Sequence, residues 1–227
     1  MIPTMVSRST HTPAYRAVMT VSSPIMWRWA RMRVRGVDLI PETGPVLVVA
    51  DHDSYWDPIA IAVAARDRRQ IHALAKSTLW KNKIVAKFMT GMGHIPVERG
   101  VSNDDAIAVA VKRLAEGVAI GIFPEGTRSL GRRIRARSGI GRMAELVPEA
   151  TVVCVRCNGS TDVVRLPKRP RIDVEFYLPR GGGLQPGESP GDFAERLVDE
   201  LREGAPPELP GRKRSAAKYR GRSEKLK

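Results

Sequence analysis

Two short apolar runs constrain what this chain can fold into. Val46-Leu47-Val48-Val49-Ala50 and Val118-Ala119-Ile120-Gly121-Ile122-Phe123 are rich in branched side chains, and each breaks off into a polar loop. The first follows Thr43-Gly44-Pro45, so both read as buried strands bounded by turns. Helical periodicity fills the stretches between such runs, and strand–helix alternation implies an α/β fold: a mostly parallel sheet with helices on both faces. At 227 residues and 42% hydrophobic content, the chain can enclose the core of one such domain.

Taken in order, Thr12-Pro13 and Ser23-Pro24 each pair a helix cap with a proline at the first helical position. The expectation is a set of N-terminal amphipathic helices over residues 1–35. In Pro24 to Arg35, Ile25, Trp29 and Met32 share one stripe and Arg28, Arg31 and Arg35 its neighbour. Such a segment either lies in a membrane interface or packs on the domain with its arginines in water. Gly36 to Ile40 reads as a short edge strand and Ile71 to Ala75 as a further strand. Ser77 to about Met89 reads as a helix with Leu79, Ile84 and Phe88 inward. Ile95 to Val97 is a short strand. Asn103 to Glu116 has acids in its first turn, bases in its last and Gly117 as its stop. Val152 to Val155 and Ile172 to Tyr177 add strands. Ser189-Pro190 opens a last helix with Phe193, Leu197 and Leu201 on its inner face. From Gly204, proline, glycine and charge leave little to bury, so a basic disordered tail is expected over 204–227.

The loop after the first run reads Asp51-His52-Asp53-Ser54-Tyr55-Trp56-Asp57, with Pro58 suited to a helix start. His52 therefore lies at the carboxyl end of a strand, where α/β sheets place their ligands. One reading makes His52 a general base oriented by Asp57. The other makes Asp57 a cap before Pro58 and His52 an ordinary loop residue.

Two further blocks bear on that choice: Gly93-His94-Ile95-Pro96-Val97-Glu98-Arg99 and Phe123-Pro124-Glu125-Gly126-Thr127-Arg128. Together with His52-x4-Asp57 they resemble, in type and order, the glycerolipid acyltransferase family, typified by 1-acylglycerol-3-phosphate acyltransferases. The resemblance runs from about Val34 to Pro179 and makes residues 36–203 an acyltransferase domain. It implies that the free hydroxyl of 1-acylglycerol 3-phosphate attacks acyl-CoA or acyl-carrier protein, the co-substrate. No metal, other cofactor or covalent acyl-enzyme is implied. His52 and Asp57 would be catalytic, and Arg99, Glu125, Gly126, Thr127 and Arg128 would bind substrate. Another lysophospholipid, a glycolipid or an aminolipid is the alternative acceptor, and a non-enzymatic basic lipid-binding protein is an alternative of another class.

This sequence departs from the family pattern at Asp51, where asparagine is common, at Asp53, and at Val152-Val153-Cys154-Val155, which lacks a proline. Three carboxylates would crowd one imidazole unless Asp51 or Asp53 points away. Glu125, unfavourable beside a phosphate, is expected to orient an arginine or the acceptor's hydroxyl. Arg132, Arg133, Arg135 and Arg137 either hold co-substrate acids or are solvated. Gly187-Glu188-Ser189-Pro190-Gly191 matches a serine-esterase motif, but Pro190 lacks the N–H that motif needs, so the match is fortuitous. A metal-dependent hydrolase built on Asp51, His52, Asp53 and Asp57 would need a second histidine, and His72 and His94 fall in unrelated segments.

Charge narrows the partners. Of the net +14, residues 1–35 contribute +6 and residues 211–227 contribute +7, leaving 24 basic against 23 acidic residues between them. A nucleic-acid fold carries its basic stripe on the folded domain, so nucleic acid is not expected. Basic ends fit an anionic membrane surface, with Trp27, Arg28, Trp29 and Arg31 as contacts, although a solvated tail fits the C-terminal run equally. No stretch approaches the roughly 18 apolar residues of a span, and Met1 to Ala30 lacks the marks of a signal peptide. Cys154 and Cys157 read as core residues whose odd separation in a strand sends them to opposite faces. The expected location is peripheral, on the cytoplasmic side of the membrane.

Overall fold

The computed structural model describes residues 11–98, 104–129, 132–163 and 169–204. Helix α1 (Pro13–Pro24) starts as its sequence predicts, with Thr12 Oγ1 accepting from the Tyr15 N–H at 3.2 Å. A π-helical turn, Ile25–Trp29, ends the helical stretch. Arg31 then takes a left-handed φ of 45°, and the chain turns into strand β1 (Arg33–Arg35). The continuous helix expected over Pro24 to Arg35 is thus a helix end followed by a strand. The edge strand expected at Gly36 to Ile40 is a 3₁₀ turn, Val37–Leu39. Gly36 has φ +67°, and a Cβ there would sit 2.1 Å from the Phe176 carbonyl oxygen. That crossing requires glycine and bends the chain out of the sheet.

Strands β2 (Val46–Ala50), β3 (Ile71–Lys76), β4 (Ile95–Val97), β5 (Ala119–Ile122), β6 (Thr151–Asn158) and β7 (Asp173–Tyr177) complete a seven-stranded sheet. The order is β1-β7-β6-β2-β5-β3-β4, and β1 and β7 run against the other five. Helices α2 (Asp57–Ala65), α3 (Lys83–Gly91), α4 (Asp104–Ala115), α5 (Gly139–Leu146) and α6 (Pro190–Glu203) make the crossovers and the end.

The pleat sorts β2 into two layers. Val46, Val48 and Ala50 enter a core shared with α1 and α2, and Leu47 and Val49 enter one shared with α4, α5 and α6. Cys157 lies in the first layer and Cys154 in the second, both free and buried. Burial pushes the Cys154 thiol up to about 12, so it is not a thiolate. In α6, Phe193, Leu197 and Leu201 face inward, and Ser189 caps the helix by accepting from the Asp192 N–H at 3.1 Å. The esterase-like serine is therefore a cap.

One helix is the reverse of its expectation. Ser77–Lys81 is a 3₁₀ turn, and Asn82 restarts the helix by accepting from the Ile84 and Val85 N–H groups at 3.0 and 3.2 Å. The restart changes the register, so Leu79, Ile84 and Phe88 face outward. The expected tail over 204–227 lies outside the described residues from 205 onward.

Candidate active site

The carboxyl ends of β2 and β5 adjoin, because β2 pairs with β5 from Val46↔Ala119 to Val49↔Ile122. The loops that leave them meet at once. The Ser129 N–H donates to the His52 carbonyl at 2.7 Å, joining the two loops in front of the sheet.

His52 Nδ1 lies 3.0 Å from Asp57 Oδ2. The same oxygen accepts from the Asp53 N–H at 2.7 Å and the Ser54 N–H at 2.6 Å, and Oδ1 accepts from the Ser160 hydroxyl. Asp57 is wholly buried, and these donors hold its carboxylate in place. Asp57 is the first residue of α2 rather than its cap, since Trp56 holds the cap position and the Asp57 carboxylate turns back to the loop and the imidazole. The geometry is that of the orienting reading and not of the cap reading. The His52 ring stacks on Phe123, with centroids 4.2 Å apart and 25° between planes. A proton on Nδ1, directed at Asp57, leaves the Nε2 lone pair for a substrate hydroxyl.

The other two carboxylates turn away from the imidazole. Asp51 Oδ1 accepts from the Cys157 N–H at 3.0 Å, and Oδ2 has no hydrogen-bond partner among the described residues. Burial, and then the charge of Asp57, pushes the Asp51 carboxyl well above the ordinary carboxylate range. The shift favours the neutral form of the carboxyl, which has the shape of an asparagine side chain. A folded-state carboxyl raised in this way stabilises the protein below the ordinary carboxylate range and loses that stability as pH rises. Asp51→Asn is accordingly expected to unfold at a higher temperature than wild type at pH 8, with the gap shrinking towards pH 5. Thermal unfolding at the two pH values checks this; a variant that is less stable at both would contradict it.

Asp53 turns to Ser129 and to a residue that sequence reasoning missed. Arg202, near the end of α6, reaches Asp53 through Nη1 at 3.2 and 3.1 Å. The same guanidinium holds Glu125, with Nε donating to Oε1 at 2.9 Å and Nη2 to Oε2. All three side chains are buried, Arg202 being 7% exposed. Burial opposes the Arg202 charge, yet its bonds to Glu125 and the charge of Asp53 hold it above the ordinary arginine value. Burial pushes the Glu125 carboxyl up, against the pull of Arg202. Glu125, expected among the substrate-binding residues, instead faces inward: it orients an arginine, and that arginine fastens the two loops.

Gly126 stands at φ +65° with its N–H donating to the Phe123 carbonyl at 2.9 Å, which removes that N–H as a donor to substrate. A Cβ on Gly126 would lie 2.6 Å from Arg137 Nε, so glycine lets this arginine cross the loop. Arg128 extends over the ring of Tyr55, 3.7 Å from its centroid, at the rim of the His52 loop. Thr127 is half-buried between them. Arg99 lies outside the described residues. Arg133 pairs with Glu195 and Asp199 on α6, while Arg135 is almost fully exposed.

Of the expected membrane contacts, Trp27 and Arg28 are exposed. Trp29 donates from Nε1 to the Val163 carbonyl at 3.3 Å, and Arg31 bonds the carbonyls of Arg169 and Pro170. His72 and His94 are structural: burial lowers each to about 4, and His94 Nδ1 accepts from the Ala73 N–H at 2.9 Å. Neither joins His52 and the aspartates in a ligand set.

A family model described as Acyltransferase matches residues 31–158. The 1-acyl-sn-glycerol-3-phosphate acyltransferase of Bacillus subtilis (strain 168) is 31% identical over 98 residues, covering 43% of this chain and 49% of that protein. The protein so named from Streptococcus pneumoniae is 26% identical over 134 residues, covering 59% of this chain and 49% of the relative. The match thus spans about half the length of these curated relatives. The crystal structure of the 1-acyl-sn-glycerophosphate acyltransferase PlsC from Thermotoga maritima superposes with a TM-score of 0.57 at 20% identity, covering 84% of this chain and 76% of that one. At that identity the likeness is one of fold.

Proposed function

The chain belongs to the acyltransferase family, and on that premise we propose that it moves a fatty acyl group from acyl-CoA or acyl-carrier protein to the free hydroxyl of 1-acylglycerol 3-phosphate, giving phosphatidic acid. The observation that carries this reading is the His52–Asp57 pair at the carboxyl edge of the sheet, with Arg128 on the loop beside it. His52 Nε2 takes the hydroxyl proton as the oxygen attacks the thioester carbon. The tetrahedral intermediate expels the thiolate, which takes the proton back from the imidazolium. Asp57 keeps the tautomer right before the attack and stabilises the imidazolium after it. No covalent acyl-enzyme is required.

Arg128 and Arg99 are the phosphate-binding groups in this reading, each able to grip two oxygens through a planar fork. Arg128→Ala should weaken acceptor binding by about 1.5–3 kcal/mol, the worth of a charge-assisted contact. Initial rates with acceptors that carry or lack the phosphate measure it. The variant should lose its preference for the phosphate form, and an unchanged preference would remove Arg128 from that role. The whole reading is tested by offering 1-acylglycerol 3-phosphate, another lysophospholipid, a glycolipid and an aminolipid side by side. Preference for the first supports it, and preference for another assigns the same chemistry to that acceptor.

The acceptor's own acyl chain requires work at a lipid surface, and a peripheral protein on the cytoplasmic side of the membrane suits it. No helix among the described residues is long and apolar enough to cross a membrane.

A further inference from the structure

We propose that the outward face of α3, with the 3₁₀ turn before it, docks the protein on an anionic phospholipid leaflet and holds the active-site edge of the sheet against it. The proposal rests on the lipid-acceptor reading above.

Helices α1, α2, α4, α5 and α6 each bury side chains in one of the two core layers, whereas α3 buries none. Ile84 is 72% exposed, and Leu79, Val85 and Phe88 are exposed beside it. Ile84 and Phe88 stand one turn apart and so form a stripe. The helix is nonetheless anchored from below. Met89 packs on the first core layer, and Gly91 lets α1 approach so closely that a Cβ there would be 2.7 Å from the Ala14 Cβ. The Trp80 indole donates to Thr90 Oγ1 at 2.9 Å, tying the 3₁₀ turn to the helix. The apolar face is thus part of the folded domain's surface.

Its surroundings say what it meets. Lys76, Lys81, Lys83 and Lys87 are exposed around it, and no aspartate or glutamate occurs from Arg68 to Val97. None of the four lysines makes an ion pair among the described residues. Lysine is depleted in protein–protein interfaces. An apolar stripe flanked by lysines is instead what inserts shallowly into a leaflet while the ammonium groups meet anionic headgroups. The location fits as well. Strand β3 runs parallel to β5 as far as Ala73↔Gly121 and continues beside β4 to Lys76, towards the edge where β5 leads to Phe123 and His52. A leaflet resting on α3 therefore faces the edge that an acyl-bearing acceptor must reach.

Vesicle flotation with the full chain tests this, using phosphatidylcholine vesicles with and without phosphatidylglycerol. Binding is expected to the anionic vesicles at low salt. I84E/F88E should lower the partition coefficient at least roughly tenfold. Replacing Lys81, Lys83 and Lys87 by glutamine should lower it by roughly fivefold per lysine, an effect that high salt abolishes. V109E/L146E, which places charge on exposed apolar residues of α4 and α5, should bind as wild type does. The proposal is overturned if the wild type does not bind, if I84E/F88E binds normally, if V109E/L146E loses as much, or if W27E alone removes binding. In detergent micelles I84E/F88E should retain acyl transfer. A wild type inactive in micelles would count against the acyltransferase reading, while flotation alone decides the docking surface.

Discussion

Acyl transfer by His52→Ala should fall by about 10²–10⁴-fold, the usual worth of a positioned general base, while the fold survives. The second half of that expectation comes from Asp57. Its carboxylate also accepts from the Asp53 and Ser54 N–H groups and the Ser160 hydroxyl, so losing the imidazole does not orphan a buried charge. Asp57→Asn should behave differently. An amide NH₂ would confront one or more of those donors, and both stability and rate should suffer. Initial rates and thermal unfolding of the two variants separate the roles. A His52→Ala protein with more than about a tenth of the wild-type rate would show that His52 is not the base.

The second large effect belongs to Arg202. Arg202→Met should destabilise the protein by about 3–5 kcal/mol, because Asp53 and Glu125 would stay buried with no cation between them. Part of the effect should appear in activity, since the same guanidinium fastens the His52 loop to the Glu125 loop. Replacing all three together, as D53N/E125Q/R202M, should recover much of the loss, because isosteric neutral groups need no counter-charge. Denaturant unfolding of the single and triple variants measures this. An Arg202→Met protein within about 1 kcal/mol of wild type, the usual worth of a surface ion pair, would mean that the triad does not hold the loops.

The parts of this molecule that were legible in the sequence are those fixed by local pattern. Val46–Ala50, buried on both faces, and α6, with its Ser189 cap and Phe193-Leu197-Leu201 face, follow from periodicity and capping. The His52–Asp57 spacing places both groups in one strand–helix loop, so their contact was legible too. Arg202 was not, because it meets Asp53 across 149 residues of sequence and no local signal marks that contact. Short helix α5 escaped notice because glycines at 139 and 141 blur its pattern, and Gly141 has a packing reason: a Cβ would strike Pro190. In α3 the hydrophobic spacing was right and the direction was reversed. Amphipathicity shows that a helix has an apolar face, whereas the domain around it decides which way that face turns.

The most direct measurement follows thiol release and lipid product together in one mixture of the purified protein, acyl-CoA and vesicles containing 1-acylglycerol 3-phosphate. The expected result is one phosphatidic acid formed for each CoA released, no acyl adduct on the protein by intact mass, and neither product with His52→Ala. Thiol release without phosphatidic acid, a stable acylated protein, or full turnover by His52→Ala would contradict direct transfer at the His52–Asp57 site.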